Sequence, residues 1–361
     1  MTYVLFGSAV VLGLFLKKSK ICSAYIIIIM LILSIYNYQS ADMNNYKTSY
    51  ALALETDSFR YLGYSMIIKC CAKIGLSWLQ YRWLFYITVF SLLYIAIRML
   101  TKNVNMVLAL YLITYYGIDV VQMKSHIADV LAFFAIAYMV KSLSEGKMLK
   151  SWRTVFSIFI LFLSALMHFA TVFYLSAFVM WAIMYRQKNM TKKMIAIAVV
   201  TLVLMYGGIV TVVAQYANQL GILGDMNYLG NWFVRKTHLG YLLPSIFVVM
   251  VVLSCVIPKQ ILTKEVVDIQ PTLLFSKQFI ITSVMLLPLF VMNVTYIRLI
   301  RVYVLLALIN YAEGKIKLEM TKTELLCALA SVMTIMMSIY DGTYAFFDTT
   351  LGSILKYNSM L

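Results

Sequence analysis

Charge is scarce in this chain. Asp, Glu, Lys and Arg make up only 12% of 361 residues, against roughly 25% in a water-soluble domain. No polar stretch is long enough to form a soluble domain. Proline is rarer still, at four, and no internal repeat or heptad seam interrupts the pattern. The five cysteines (Cys22, Cys70, Cys71, Cys255, Cys327) have no C-x-x-C spacing, so neither a zinc site nor a disulfide framework is indicated. P-loop, G-x-G-x-x-G, H-E-x-x-H and G-x-S-x-G patterns are all missing, which leaves ATP hydrolysis, nicotinamide chemistry, metalloprotease and serine-hydrolase activity without support. A D-x-D metal motif is missing too, so an activated sugar would not arrive as a nucleotide sugar. We expect no metal or other cofactor.

What is present is apolar. Hydrophobic residues make up 63% of the chain and the mean hydropathy is +0.88. Uninterrupted runs fall at 2–16, 21–36, 83–97, 104–121, 126–140, 154–167, 169–185, 194–213, 241–257, 278–293, 296–312 and 325–340. Several are shorter than the ~20 residues of a perpendicular span, and flanking Tyr, Trp and Lys extend them. The expected fold is all-α, a polytopic membrane protein of about twelve transmembrane helices forming one domain over 1–361. The first run carries no A-x-A-like cleavage site and reads as a retained helix rather than a signal peptide.

The formal charge of +16 does not point to nucleic acid. Lys and Arg sit in short segments between apolar runs, where membrane topology wants them. Residues 154–185 form one apolar stretch flanked on both sides by basic residues, Lys147, Lys150 and Arg153 before and Arg186, Lys188, Lys192 and Lys193 after. A hairpin turning near His168 keeps both clusters cytoplasmic. With it the charge alternation puts both termini outside. Two longer external segments result, 37–82, with an amphipathic stretch carrying Lys69 and Lys73, and 214–240.

Ionisable residues at the edges of spans are costly and are therefore functional candidates. The turn DVVQMKSHIADVLAF carries Asp119, Gln122, Lys124, His126 and Asp129. His168 occupies the hairpin tip in SALMHFATV, and NVTYIRLIRVYVLL puts Arg298 and Arg301 one helical turn apart. All are expected at the outer face. Two arginines on one helix face make a fork for a diphosphate, or else two headgroup anchors. His168 is either a base or a hydrogen-bonded core histidine. Asp129 is the reserve base, or a partner for His126 or Lys124. Lys124 joins the arginines as a candidate for the diphosphate, and His126, Asp42 in the first loop (or else a solvated turn residue), and Arg235 and Lys236 in the second are further candidates for contacting substrate.

The order of these pieces resembles the EpsG-like family of bacterial exopolysaccharide polymerases, relatives of the Wzy polymerases of O-antigen and capsule. SADMNNYKTSY followed by FRYLGYSMIIK resembles that family's polar first outer loop. VQMKSHIADVLAFFAIAY resembles its I-R-Q-x-L-A helix start, with Lys124 near the usual arginine and His126 and Asp129 added. FILFLSALMHFATVFYLSAF resembles its hairpin with a histidine at the tip. The resemblance implies a GT-C-like transferase of the bacterial cytoplasmic membrane, which joins undecaprenyl-diphosphate-linked oligosaccharide repeat units at the outer face. It implies membrane lipid as surroundings, with a flippase and a chain-length regulator of the same pathway as partners. A flippase or transporter for a lipid-linked or anionic solute is the rival reading. Scarce proline, no repeat and polar residues gathered at one face weigh against it. A membrane acyltransferase ranks third, because His168 has no evident histidine partner.

Overall fold

In a computed structural model, the protein is described at residues 1–40, 42–55, 61–146, 152–185, 189–206, 271–292, 298–313 and 351–360. Among these residues it is all-helical, with no strand. Helices α1 (Thr2–Phe15), α2 (Lys20–Ile35), α5 (Trp78–Leu100), α8 (Met123–Ser144), α9 (Trp152–Met167), α10 (Val172–Met184) and α11 (Met190–Tyr206) follow the expected apolar runs. The runs at 241–257 and 325–340, the loop 214–240, and with it Arg235 and Lys236, lie outside the described residues. Three helical stretches, Trp78–Leu100, Met123–Ser144 and Pro271–Leu289, are long and apolar enough to cross a membrane.

Local chemistry sets the helix boundaries. Ser77 and Gln80 form a reciprocal capping box that starts α5, and Ser19 accepts from the Cys22 backbone N–H to start α2. The first loop is itself helical, with α3 (Met43–Ala51) and α4 (Leu62–Lys73). Gly75, at φ +80, supplies the left-handed turn between α4 and α5. The 104–121 run divides into α6 (Val104–Thr114) and α7 (Tyr116–Val121), and Gln122 alone joins α7 to α8.

The 154–185 stretch is a hairpin. Its helix breaks at His168, whose backbone is extended (φ −151, ψ 115), and resumes through a 3-10 turn at Phe169–Thr171. Ser164 and Thr171 hydroxyls bond across the turn at 2.8 Å, and the Thr171 hydroxyl donates to the His168 carbonyl. The later part comprises α12 (Pro271–Ile281), a 3-10 turn at Thr282–Leu286, α13 (Leu287–Met292), α14 (Arg301–Glu313) and α15 (Leu351–Lys356).

The bundle has two chemically different ends. At one, Asn37 pairs with Asn358, and the Thr2 hydroxyl donates to the Leu355 carbonyl, so both chain ends and the start of the first loop lie together. Buried Arg82 donates to the carbonyls of Asn37 (2.7 Å) and Ser34, satisfying acceptors left open where α2 ends. At the other end, Asn105 holds the α1–α2 turn through the Leu16 and Ser19 carbonyls. Thr101 donates to Glu313, and Glu145 pairs with Lys141 and Arg153. Gly13 permits the close approach of α1 to α6, since an added Cβ would sit 2.7 Å from the Asn105 carbonyl oxygen.

This arrangement predicts sided labelling. In a Cys70→Ser background, cysteines at Lys47 and Met360 should react with an impermeant thiol reagent from one side of the membrane. A cysteine at Asn189 should react from the other side only. Reaction of all three from the same side contradicts the two-ended bundle.

Candidate functional site

The sharp α7–α8 joint at Gln122 makes the site. It swings Asp119, at the end of α7, back toward Asp129, on the second turn of α8. Both carboxylates meet the Arg301 guanidinium from α14: Nη1 lies 2.7 Å from Asp119 Oδ1 and 3.3 Å from Asp129 Oδ2. Arg301 Nη2 donates to Gln122 Oε1 at 2.5 Å. Arg301 is 1% exposed, Asp119 3% and Asp129 4%, so the cluster is removed from solvent.

Tyrosines complete the network. Tyr174, on α10, faces Asp129 Oδ1 (3.1 Å) and the Leu299 carbonyl (2.9 Å) with its hydroxyl. Tyr111, on α6, donates to Asp119 Oδ2 (2.8 Å) and meets His126 Nε2 at 3.1 Å. Four segments of the bundle are thereby tied to one guanidinium: α6–α7, α8, α10 and α14. Removing one partner of a buried ion pair costs ~3–5 kcal/mol, because the charge left behind has no water to receive it.

A second layer lies beside this cluster. The Lys124 ammonium, in the first turn of α8, stands over the rings of Tyr61 (4.2 Å), just before α4, Tyr46 (5.5 Å) on α3 and Tyr64 (6.0 Å) on α4. Tyr61 stacks on the imidazole of His168, with centroids 5.4 Å apart. Arg298 is half-buried on the 3-10 turn 298–300 just before Arg301, close enough to act electrostatically on Tyr46, His168, Asp42 and Asp129. Among the described residues, no hydrogen bond or ion pair engages the Arg298 guanidinium.

Burial, and then the positive charges of Arg298, Lys124 and Arg301, push the His168 imidazole down to about 3. His168 is therefore neutral at any working pH, and its side chain makes no hydrogen bond among the described residues. A bound anion that cancelled the fields of Arg298 and Lys124 would make the ring more basic. Asp129 differs, since one oxygen accepts from Arg301 and the other shares the Tyr174 hydroxyl with the Leu299 carbonyl.

The structure thus sorts the sequence candidates. His168, Lys124, Arg298 and Asp42 gather at one mouth. Asp129 and His126 sit beneath it, each with a partner other than the one expected: Arg301 and Tyr174 for Asp129, Tyr111 for His126. Arg298 and Arg301 do not form a shared outward fork, because Arg301 turns inward to two carboxylates that outcompete any surface role. Tyr174, Tyr111 and the tyrosines around Lys124 were not singled out in the sequence, where so abundant a residue gives no signal. Asp119 stood in the polar turn without a role, since nothing in its spacing foretells the joint at Gln122. Among the described residues no group of His, Cys, Asp and Glu could hold a metal ion. No family model matches the chain, and neither a curated protein nor a solved structure shows significant similarity to it.

The depressed imidazole predicts a pH effect on stability. Between about 3 and the ordinary ~6.5, the unfolded chain binds a proton at His168 that the folded chain refuses, so stability rises with pH across that window and is level above it. The melting temperature of His168→Asn in detergent should therefore gain on wild type as pH falls from 7 to 4. A difference that stays constant over that range contradicts the environment described for His168.

Proposed function

We propose that this chain is a repeat-unit polymerase of the bacterial cytoplasmic membrane, joining undecaprenyl-diphosphate-linked oligosaccharides at the outer face. The observation that carries the proposal is the mouth itself: two cations, Arg298 and Lys124, border a neutral histidine and a bank of tyrosines at the end of the bundle covered by the first loop. This is the donor set that a diphosphate, a sugar ring and an attacking hydroxyl each require. The reading includes about twelve spans in a GT-C-like arrangement, with the mouth on the external side and the Lys141–Arg153 end in the cytoplasm. It expects a flippase and a chain-length regulator as partners.

In this mechanism His168 accepts the proton of the acceptor hydroxyl. The acceptor oxygen bonds to the anomeric carbon of the donor as the bond from that carbon to the diphosphate oxygen breaks. The electron pair leaves with undecaprenyl diphosphate, where Arg298 and Lys124 meet the developing charge more strongly than they meet the ground state. Burial is the main cause of the depressed imidazole and the nearby cations add to it; the diphosphate offsets only that second part, so the base gains strength when the donor is present. Asp129, tied to Arg301, is the weaker candidate for that role. A lipid-linked-solute flippase is the second reading, favoured by the buried Asp119–Arg301–Asp129 cluster, since such clusters also line transport pathways.

Deletion should abolish surface polymer and leave single repeat units on undecaprenyl diphosphate, accessible at the outer leaflet. His168→Ala at matched expression should reproduce this, with chain growth reduced ~10²–10⁴-fold. Units confined to the inner leaflet would favour the flippase. Polymer of normal amount from His168→Ala would remove the histidine from the mechanism.

A further inference from the structure

The segment bearing Arg298 is a single 3-10 turn, and a turn that short cannot position a guanidinium by itself. Two features hold it. The Leu299 carbonyl accepts from buried Tyr174 at 2.9 Å. Two residues on, Arg301 is locked between Asp119 and Asp129.

From this geometry we infer that Tyr174 and Arg301 are positioning residues, a mount that fixes Arg298 at the mouth as the contact for a lipid-borne diphosphate. The inference rests on the donor reading above and deepens it. It assigns Arg301 no contact with substrate, and it gives Tyr174, a hairpin residue six positions after His168, a role in donor binding. The same hairpin would then present the base and steady the anion contact, keeping the two in register.

The mount separates from mere stability in a binding cycle. Full-length protein in nanodiscs is titrated with a fluorescent farnesyl diphosphate analogue, and affinity is expressed per folded molecule. Wild type should bind, and unlabelled inorganic diphosphate should displace the probe, distinguishing headgroup recognition from partition into lipid. Arg298→Gln should weaken binding about 10- to 100-fold, the range for a hydrogen-bonded charge. Tyr174→Phe should weaken it about 3- to 10-fold, and Arg301→Lys should weaken it as well. The decisive variant is the double Arg298→Gln/Tyr174→Phe, which should bind no worse than Arg298→Gln alone, because a mount acts only through what it holds. If Tyr174→Phe and Arg301→Lys bind like wild type, or if the losses add in the double variant, the mount is overturned while the anion site stands. If wild type fails to bind, diphosphate fails to displace the probe, or Arg298→Gln binds normally, the donor reading itself is overturned.

Discussion

One guanidinium organises this molecule. Arg301 is almost wholly removed from solvent, and its charge is made tolerable there by Asp119, Asp129 and Gln122 closing around it. Hydrophobic packing alone cannot dictate such a meeting, because apolar helices slide past one another at little cost in an apolar medium. A buried charge that must find its partner fixes the depth and rotation of α7, α8 and α14 together. Tyr174 and Tyr111 extend that constraint to α10 and α6.

The mouth is a consequence of that fixed register. Once α8 is set by Asp129, its first turn presents Lys124 to the tyrosines of the first loop, whose helices also pack on the bundle through buried side chains such as Tyr50, Tyr64 and Ile68. Once α10 is set by Tyr174, the preceding hairpin turn places His168 against Tyr61. Arg298 follows from α14. Positive charge therefore collects beside an imidazole that makes no side-chain hydrogen bond among the described residues. That asymmetry is what an anionic donor would exploit.

Much of this was legible in the sequence, for physical reasons. Apolar runs become helices in a membrane protein because the backbone must bond to itself, so α1, α2, α5 and α8 to α11 follow the hydropathy, while α3, α4 and α15 lie outside the apolar runs. The hairpin at His168 was readable from the basic flanks of 154–185. His168, Lys124 and Arg298 stood out in the sequence because polar groups beside apolar runs are conspicuous, and the structure brings the three near one another. The inward turn of Arg301 was not readable. Helical spacing alone puts it on one face with Arg298, and only the Gln122 joint, a local break with no glycine or proline to mark it, brings Asp119 and Asp129 to meet it. The tyrosine partners were hidden by their own abundance, since 27 tyrosines in an apolar chain read as interfacial belt.

The central claim is that a single chain with this mouth can lengthen a lipid-linked oligosaccharide. The most direct measurement is reconstitution of the purified protein in liposomes with undecaprenyl-diphosphate-linked repeat units, without nucleotide or nucleotide sugar, followed by separation of products by length. The account predicts chains of two or more units, with one free undecaprenyl diphosphate released for each linkage formed. Repeat units that cross the bilayer but remain single, in a preparation of folded protein, would contradict it.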